Sequence, residues 1–329
     1  MMPCLVAAWA LCGQAWPGGV VTEVAPTENP PGPAKAVFII VDGVPADVIE
    51  RVETPFLDDL AKAGGYARAR VGGPLGEPGE SPTVSAVGYM SLLTGTWANK
   101  HNVRRNYFIN PDYRYWDLFR IAKAQSQPRS TAIFSTWTDN RTKLLGDGQA
   151  EAGGAKLDYA FDGFEDDTRR FPHDSEESYI RDIDALVSAE AAKYIATHAP
   201  DLSWIYLQHT DDVAHEHGDS AIFDQAVNWM DSRIGLVWSA VKRRQAEYNE
   251  DWLILVTTDH GRDAETGRDH GKQSPRERTI WIATNSKRLN ASFEEEPWIV
   301  DILPSIATHM GFEIPAAVQA QLDGQSFID

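Results

Sequence analysis

The stretch Val37–Gly43, VFIIVDG, decides the fold class of this 329-residue chain. Its apolar residues show no polar alternation, which is typical of a β-strand that is covered on both faces, as in a parallel sheet. The run ends at Asp42, and ligands of open parallel sheets bind beyond the carboxyl ends of the strands. Asp42 is therefore a candidate site residue, although an Asp after a strand is usually a helix cap or a turn residue.

Four further apolar runs of the same kind predict more parallel strands. They are Thr131–Ser135, Ser203–Leu207, Trp252–Thr257 and Thr279–Ala283. Helical patterns lie between the runs, and strands that alternate with helices are typical of an α/β fold. We therefore predict an open, mostly parallel sheet sandwiched by helices.

Two of the intervening helices have clear sequence signals. One is predicted from Thr54–Pro55 to Gly64, with Pro in its first turn and Gly past its end. The other is predicted from about Ser220 to Tyr248, because apolar residues recur there every three or four positions. This apolar seam consists of Phe223, Val227, Met230, Ile234, Val237 and Val241.

The composition excludes several classes of function. The chain carries a net charge of −18, so it lacks the basic excess that favours binding to nucleic acid or to anionic membranes. Its two cysteines, Cys4 and Cys12, both lie near its start. Disulfide frameworks, zinc–thiolate sites and thiol nucleophiles are therefore excluded from the rest of the chain.

Two segments are predicted to precede the folded domain. Residues 1–21 are predicted to be a leader peptide, which implies export to the periplasm or out of the cell. No Lys or Arg precedes its apolar run, so a short tail or a weak membrane anchor is the alternative. Residues 22–35 contain four prolines and predict an extended linker.

A single domain is expected over residues 36–329, with no membrane span. The Gly-rich, acidic segment 140–174 is expected to form a small lid over the site.

Metal-ligand residue types follow three of the predicted strands. The candidates are Asp42, Asp211, His215, Asp259, His260 and His270. The spacing of four between Asp211 and His215 lets both face one ion if the segment is helical. Oxygen and imidazole ligands without thiolate suit zinc or manganese, and two such ions about 4 Å apart can clamp a displacement at phosphorus. Taken alone, the pair Asp259–His260 could equally be a structural hydrogen bond.

A candidate nucleophile lies in Ser81–Gly95, SPTVSAVGYMSLLTG. The pattern becomes helical after Ser85, so Ser85 is expected at or near a helix N-terminus, where phosphate oxygens are favoured. A neighbouring divalent ion would give this hydroxyl the activation that an unaided serine lacks. The alternative is that Ser85 is only an N-cap, because serine is a favoured cap residue.

The order of these residues resembles the alkaline phosphatase superfamily and, within it, the type I phosphodiesterase/nucleotide pyrophosphatase family. Pro82–Gly95 aligns without a gap with that family's nucleophile stretch, P-T-K-T-F-P-N-H-Y-S-L-V-T-G, and Ser85 falls on the nucleophile. Tyr206–Gly218 matches Y-x-E-E-P-D-x-x-G-H-x-x-G, and Asp259–Gly261 matches the S-D-H-G segment. Asn106 falls on the Asn of the family's S-H-G-[IV]-x-x-N.

By this resemblance the chain is a phosphoric ester hydrolase with two divalent metal ions, zinc being expected and manganese the alternative. One ion is implied at Asp211, His215 and His270. The other is implied at Asp42, Asp259 and His260, with Ser85 bridging toward the substrate. Ser85 would attack phosphorus and form a phosphoseryl intermediate, which water then hydrolyses. The implied substrate is a small-molecule phosphate ester.

Two positions depart from the family pattern. Gly88 replaces an Asn that helps to hold a phosphate oxygen, and Ala86 replaces a Phe of the family's nucleobase slot. A backbone N–H at Gly88, the amide of Asn106 or the guanidinium of Arg104 could take over the first role. Four basic residues near the motifs could grip a more highly charged phosphate, although a solvated surface position is favoured for each; they are Arg104, Arg105, Arg262 and Lys272. These departures leave open which phosphate ester is the substrate.

Three alternatives are weighed against a phosphodiesterase. A phosphomonoesterase of the same superfamily would need groups for two extra anionic oxygens, for which Arg104–Asn106 is the stretch to examine. A sulfatase is disfavoured, because its C/S-x-P-x-R setting is absent around Ser85. A non-catalytic, metal-stabilised binding domain would typically lose a ligand or the nucleophile, and none is missing here.

Overall fold

The computed structural model describes residues 32–174 and 178–329. The predicted leader, both cysteines and the linker up to residue 31 lie outside the described residues. Within the described part of the chain, no helix has the length and apolar character that a membrane crossing requires.

Seven strands form one mixed, mostly parallel sheet with helices on both faces, which confirms the predicted fold class. The strands are β1 Ala34–Val41, β2 Gly65–Arg70, β3 Thr131–Ser135, β4 Tyr159–Phe161, β5 Leu202–Leu207, β6 Asp251–Thr257 and β7 Thr279–Thr284. Their order across the sheet is β2-β7-β6-β1-β5-β3-β4. All five predicted strands are present.

One predicted strand has the wrong direction, and two strands were missed. β7 runs antiparallel to β6, because the connection over residues 258–278 contains no long crossover helix and returns the chain from the same end of the sheet. β2 and β4 lie at the two edges of the sheet, where a strand needs no continuous apolar run. The sequence of β2, GYARAR, mixes small and charged residues, and Arg68 donates from Nε to Glu50 at 2.7 Å.

Helices flank the sheet, and both predicted helices are present. The α-helices are α1 Ala46–Ile49, α2 Pro55–Ala63, α3 Ser85–Thr94, α4 Ala98–His101, α5 Leu118–Lys123, α6 Ser178–His198, α7 His209–His217, α8 Ala221–Tyr248, α9 Pro275–Arg278, α10 Ala291–Glu294, α11 Ile302–Met310 and α12 Ala316–Gln319. A π-helix spans Asn140–Leu145 and a 3-10 helix spans Ile299–Asp301. Ser220 caps α8 by accepting from the N–H of Phe223, and every residue of the predicted apolar seam is buried.

The core has two layers, one on each face of the sheet. Phe38 and Ile40 of β1 pack with α3 and α11, whereas Val37, Ile39 and Val41 pack with α6 and α8. Successive side chains of a strand point to opposite faces, so a strand covered on both sides is apolar throughout.

The segment 140–174, predicted as a lid, contains the π-helix and strand β4. Leu144 and Leu145 belong to the core, and Lys156 is buried in an ion pair with Asp117 at 2.6 Å. That the segment 140–174 closes over the site as a lid stays a prediction.

Asp231 of α8 joins two helices, and its loss is expected to destabilise the fold. Its buried carboxylate accepts from the N–H groups of Phe56 (3.1 Å) and Leu57 (2.8 Å) in the first turn of α2. Asp231→Ala is expected to lower the free energy of unfolding by about 1–3 kcal/mol, because two buried N–H groups lose their acceptor. Urea denaturation measures this loss of stability. Asp224→Ala is the control, because Asp224 also lies on α8 but forms only a partly exposed ion pair with Arg51.

The pH dependence of this contribution has a defined sign. Burial raises the pKa of Asp231 to about 6. The folded chain therefore holds the proton more tightly than the unfolded chain, and the contribution to stability falls as the pH rises from about 4 to about 6. A parent and an Asp231→Asn variant with the same pH dependence in this window would contradict the assignment.

Candidate metal centre and nucleophile

The site lies where three neighbouring strands end at the same edge of the sheet. β1 lies between β5 and β6, and all three run parallel. Asp42 follows β1, helix α7 follows β5, and Asp259–His260 follows β6. Since the carboxyl ends of parallel strands meet at one edge, the topology brings these segments together.

The first group of potential ligands is fully buried. Asp42, Asp259 and His260 each offer one atom, and these atoms lie within 4.8 Å of one another. Nδ1 of His260 donates to the carbonyl of Gly261 at 2.9 Å, so the lone pair of Nε2 faces the two carboxylates. The distances from Nε2 are 3.4 Å to Oδ1 of Asp42 and 3.3 Å to Oδ2 of Asp259.

This first group fits a cation. Oδ1 of Asp42 and Oδ2 of Asp259 are buried and have no hydrogen-bond partner among the described residues. Burial and the neighbouring carboxylates raise the pKa of Asp42, and burial together with Asp211 raises the pKa of Asp259 to about 7. Buried carboxylate oxygens that converge on an imidazole lone pair, with no hydrogen-bond donor between them, are stabilised by a positive charge at that point.

The second group consists of Asp211, His215 and His270, whose ligand atoms also lie within 4.8 Å of one another. Asp211 and His215 both lie on helix α7, where a spacing of four places them on one face of the helix. His270 lies in the loop before α9, and its Nδ1 donates to the carbonyl of Thr83 at 2.9 Å. Its Nε2 therefore faces the group and lies 3.2 Å from Nε2 of His215.

Arg262 is buried, and its expected place at the solvated surface is wrong. Its guanidinium donates to the carbonyls of Gly43 (3.1 Å) and Arg268 (3.0 Å) and is hydrogen-bonded to the carboxylate of Asp211. Burial alone would raise the pKa of Asp211, but Arg262 and His215 hold it well below its usual range. Arg262 therefore fixes a carboxylate of the site and is not free for a substrate.

Two tyrosines support Asp42 and were missed in the sequence. Tyr206 of β5 donates to Oδ2 of Asp42 at 2.7 Å, and the hydroxyl of Tyr89 in α3 is bonded to the same oxygen. These bonds leave Oδ1 of Asp42 to face His260. In the sequence, Tyr206 belongs to an apolar strand pattern and Tyr89 to a helix core, so the pattern predicts core packing for both. The only hint of a polar role was that each carries a hydroxyl group.

Ser85 is the first residue of α3, and its hydroxyl lies at the first group. The N-cap is Val84, so the alternative that Ser85 is only an N-cap is wrong. Oγ of Ser85 lies 3.2 Å from Nε2 of His260 and accepts from Nδ2 of Asn106 at 3.4 Å. The side chain is buried and borders the pocket described below.

The three predicted substrate contacts lie in different surroundings. Oδ1 of Asn106 accepts from the N–H of Ala86 at 2.9 Å, which turns its Nδ2 toward Ser85. The N–H of Gly88 donates to Val84 within the helix at 3.0 Å, so it is already used. A Cβ at Gly88 would lie 2.8 Å from the carbonyl oxygen of Asp259, which explains the glycine by close packing. Arg104 is exposed to solvent.

A pocket of about 230 Å³ opens over the site. It is lined by Asp42, Ser85, Tyr89, Asn106, Trp137, Tyr206, Gln208 and Asp211. None of these lining residues is Lys or Arg. Trp137, which follows β3, lines the pocket together with the aromatic rings of Tyr89 and Tyr206.

Comparison with solved structures shows the same fold in several hydrolases. The phosphonate monoester hydrolase of Agrobacterium radiobacter is 15% identical, with a TM-score of 0.61 over 89% of this chain and 76% of that one. Murine ectonucleotide pyrophosphatase/phosphodiesterase 5 is 14% identical, with a TM-score of 0.59 over 87% of this chain and 99% of that one. A 2-O GAG sulfatase is 14% identical, with a TM-score of 0.58 over 90% and 73%. No curated protein matches the chain significantly.

The sequence pattern of one family covers most of the site. The pattern described as "Type I phosphodiesterase / nucleotide pyrophosphatase" matches residues 36–274, which include the nucleophile stretch and all six candidate ligands. The prediction of a hydrolase of phosphoric esters is thereby confirmed at the level of the family. The chain belongs to the type I phosphodiesterase/nucleotide pyrophosphatase family.

Proposed function

We propose that the chain is a two-metal phosphodiesterase that works through a phosphoseryl intermediate on Ser85. The observation that carries the proposal is the Ser85 hydroxyl beside two adjoining carboxylate–imidazole groups, in a pocket whose lining contains no Lys or Arg. Nε2 of His260 lies 3.2 Å from Oγ of Ser85 and 3.9 Å from Oδ1 of Asp211, so the two groups are neighbours. Membership of the family supports a phosphoric ester as the substrate.

We assign one divalent ion to each group of ligands. The first would be held by Asp42, Asp259 and His260 beside Ser85, and the second by Asp211, His215 and His270. Mixed carboxylate and imidazole ligands favour zinc, with manganese as the alternative. When bound, such ions lower the pKa of a nucleophile and neutralise the charge on phosphate oxygens.

Ser85 and Asn106 would perform the protein's part of the reaction. Oγ of Ser85 attacks phosphorus, the ester bond breaks, and the alcohol leaves with the proton that the serine gives up. Water then cleaves the phosphoseryl bond, which releases a phosphate monoester and restores the hydroxyl. Asn106 would donate from Nδ2 to a phosphate oxygen, since the N–H of Ala86 holds its Oδ1.

The lining of the pocket favours a diester over a monoester. A monoester dianion carries more charge on its oxygens, and burying that charge requires additional cationic or donor groups. Arg104 is exposed and does not border the pocket, and Arg262 is bound to Asp211. The singly charged diester therefore matches the protein's own groups better.

The proposal is tested with the purified chain, zinc and two aryl substrates. We expect kcat/KM for a bis-aryl phosphate diester to exceed that for the aryl monoester by at least about tenfold, which corresponds to ~1.4 kcal/mol. Ser85→Ala serves as the control for background hydrolysis. A preference for the monoester would contradict the diester assignment and support the phosphomonoesterase alternative.

Asn106→Ala is expected to lower kcat for the diester by about 10²–10³-fold, the usual effect of removing one donor to a developing oxyanion. Asn110→Ala in the same loop is the matched control, because the side chain of Asn110 does not border the pocket. Steady-state kinetics on both variants measures the loss of kcat. If both variants kept the parent's kcat, Asn106 would have no role in the reaction.

A further inference from the structure

Glu277 is a fully buried carboxylate that the proposed mechanism does not use. Among the described residues, no Lys, Arg or His forms an ion pair with it. Its Oε2 accepts from the N–H groups of Lys272 and Gln273 at 2.7 Å each, and its Oε1 accepts from the hydroxyl of Ser274 at 3.0 Å. Because burial of a carboxylate without a counter-charge is costly, core packing alone does not explain this residue.

Thr83 connects Glu277 to the site. The Thr83 hydroxyl donates to Oε2 of Glu277 at 2.7 Å and accepts from the N–H of Gly271 at 3.1 Å. The Thr83 carbonyl accepts from Nδ1 of His270 at 2.9 Å. Thr83 is fully buried and lies two residues before Ser85. Through its hydroxyl and its carbonyl, Thr83 therefore joins the His270 ring, the loop that carries this ring and the segment that leads to Ser85.

The loop that Glu277 holds has an unfavourable backbone path. Gly271 has φ +98° and Gln273 has φ +62°, so the chain passes twice through the left-handed region within three residues. Such conformations persist where surrounding contacts fix them. The carboxylate of Glu277 provides those contacts, because it accepts from the N–H of Gln273 itself and from its neighbour Lys272.

The backbone of Glu277 also reaches the first group of ligands. Its carbonyl accepts from the N–H of Gly261 at 2.8 Å, directly after His260. The rings of His260 and His270 stack, with centroids 3.8 Å apart and planes inclined by 12°. The two imidazoles thus lie on loops that are tied to the same buried residue.

We propose that Glu277 is a positioning residue that acts through Thr83 to hold His270 with its Nε2 toward the second metal. The inference rests on the proposed two-metal function. With Nδ1 of His270 bonded to the Thr83 carbonyl, only Nε2 can face Asp211 and His215. Partners of this kind set the orientation and the tautomer of a ligating histidine.

Variants of Thr83 and Glu277 isolate this link. Thr83→Val removes the hydroxyl and keeps the shape and the carbonyl, whereas Thr83→Ser keeps the hydroxyl and is the matched control. Glu277→Gln keeps the volume but replaces one acceptor oxygen by a donor. The full chain is stripped of metal and titrated with Zn²⁺ by calorimetry and with Co²⁺ by visible absorption. The thermal midpoint of each variant is measured in parallel.

We expect Thr83→Val and Glu277→Gln to bind one of two metal equivalents about 10- to 100-fold more weakly, and Thr83→Ser to stay within about threefold of the parent. The Co²⁺ absorption of the weakened equivalent should shift, because that spectrum reports the ligand geometry. Parent-like affinities and spectra, with only a lower thermal midpoint, would show a merely structural role and overturn the proposal.

A separate readout distinguishes this inference from the proposed function. A parent chain that binds no metal would contradict the two-metal function. The role of Glu277 is then decided by the ¹⁵N shifts of His270 in the metal-free chain. The proposal requires protonation at Nδ1 in the parent and loss of this preference in Thr83→Val and Glu277→Gln. A tautomer that is the same in all three chains would overturn it.

Discussion

Replacement of Ser85 by alanine is expected to lower the turnover of a phosphodiester by at least about a thousandfold while the fold is kept. The change removes one oxygen, which lies 3.2 Å from Nε2 of His260 and 3.4 Å from Nδ2 of Asn106. The N-cap of α3 is Val84, so no helix cap is lost with this hydroxyl. Activity and unfolding measurements on the same preparation separate the two effects.

Ser91→Ala is the matched control for this substitution. Ser91 lies in the same helix and is equally buried, but its hydroxyl donates to the carbonyl of Val87 and contacts His101 instead of the site. We expect Ser91→Ala to keep the parent's kcat. Ser85→Thr should restore part of the activity, because it keeps a hydroxyl at the same position. If Ser85→Ala retained more than about a tenth of the parent's turnover, Ser85 would not be the nucleophile.

Removal of metal is expected to abolish turnover and to destabilise the chain. Without a cation, the converging oxygens of Asp42 and Asp259 have no hydrogen-bond partner within the described part of the chain. At free zinc about 1,000-fold above Kd, each bound ion stabilises the folded chain by about 4 kcal/mol, which corresponds to roughly 5 to 10 °C in Tm for a chain of this size. Thermal unfolding with and without a chelator measures the shift, and added zinc should restore both properties.

Two neighbouring residues of α7 provide a control for this prediction. His215 belongs to the second group, and its side chain is 44% exposed, so His215→Ala should fold and lose one metal equivalent. Glu216→Ala should keep both equivalents, because Glu216 belongs to neither group and is exposed. Equal metal contents in the two variants, or a Tm that is the same with and without chelator, would contradict the assignment of the ligands.

Arg262 shows where prediction from sequence was wrong. Charged residues are usually exposed, so a basic residue after the D-H-G motif was expected at the surface. The structure buries it completely, because the loops after β1 and β6 and helix α7 surround it and the carboxylate of Asp211 supplies a counter-charge. The predicted direction of β7 was also wrong. An apolar run predicts a buried strand, but it does not show whether the strand runs parallel or antiparallel to its neighbour.

The sequence by itself determined the five central strands and the two predicted helices, and it predicted the six candidate ligands and the candidate nucleophile Ser85. These depend on local patterns: apolar runs, capping residues and polar residues placed directly after strands. Only the tertiary structure decided how the ligands are held. Tyr206 and Asp42 are 164 residues apart, and Thr83 and Glu277 are 194 apart, yet each pair shares a buried hydrogen bond. Such contacts arise from strand order and loop packing. A local sequence pattern cannot specify them, because nothing in the sequence around one residue identifies its distant partner.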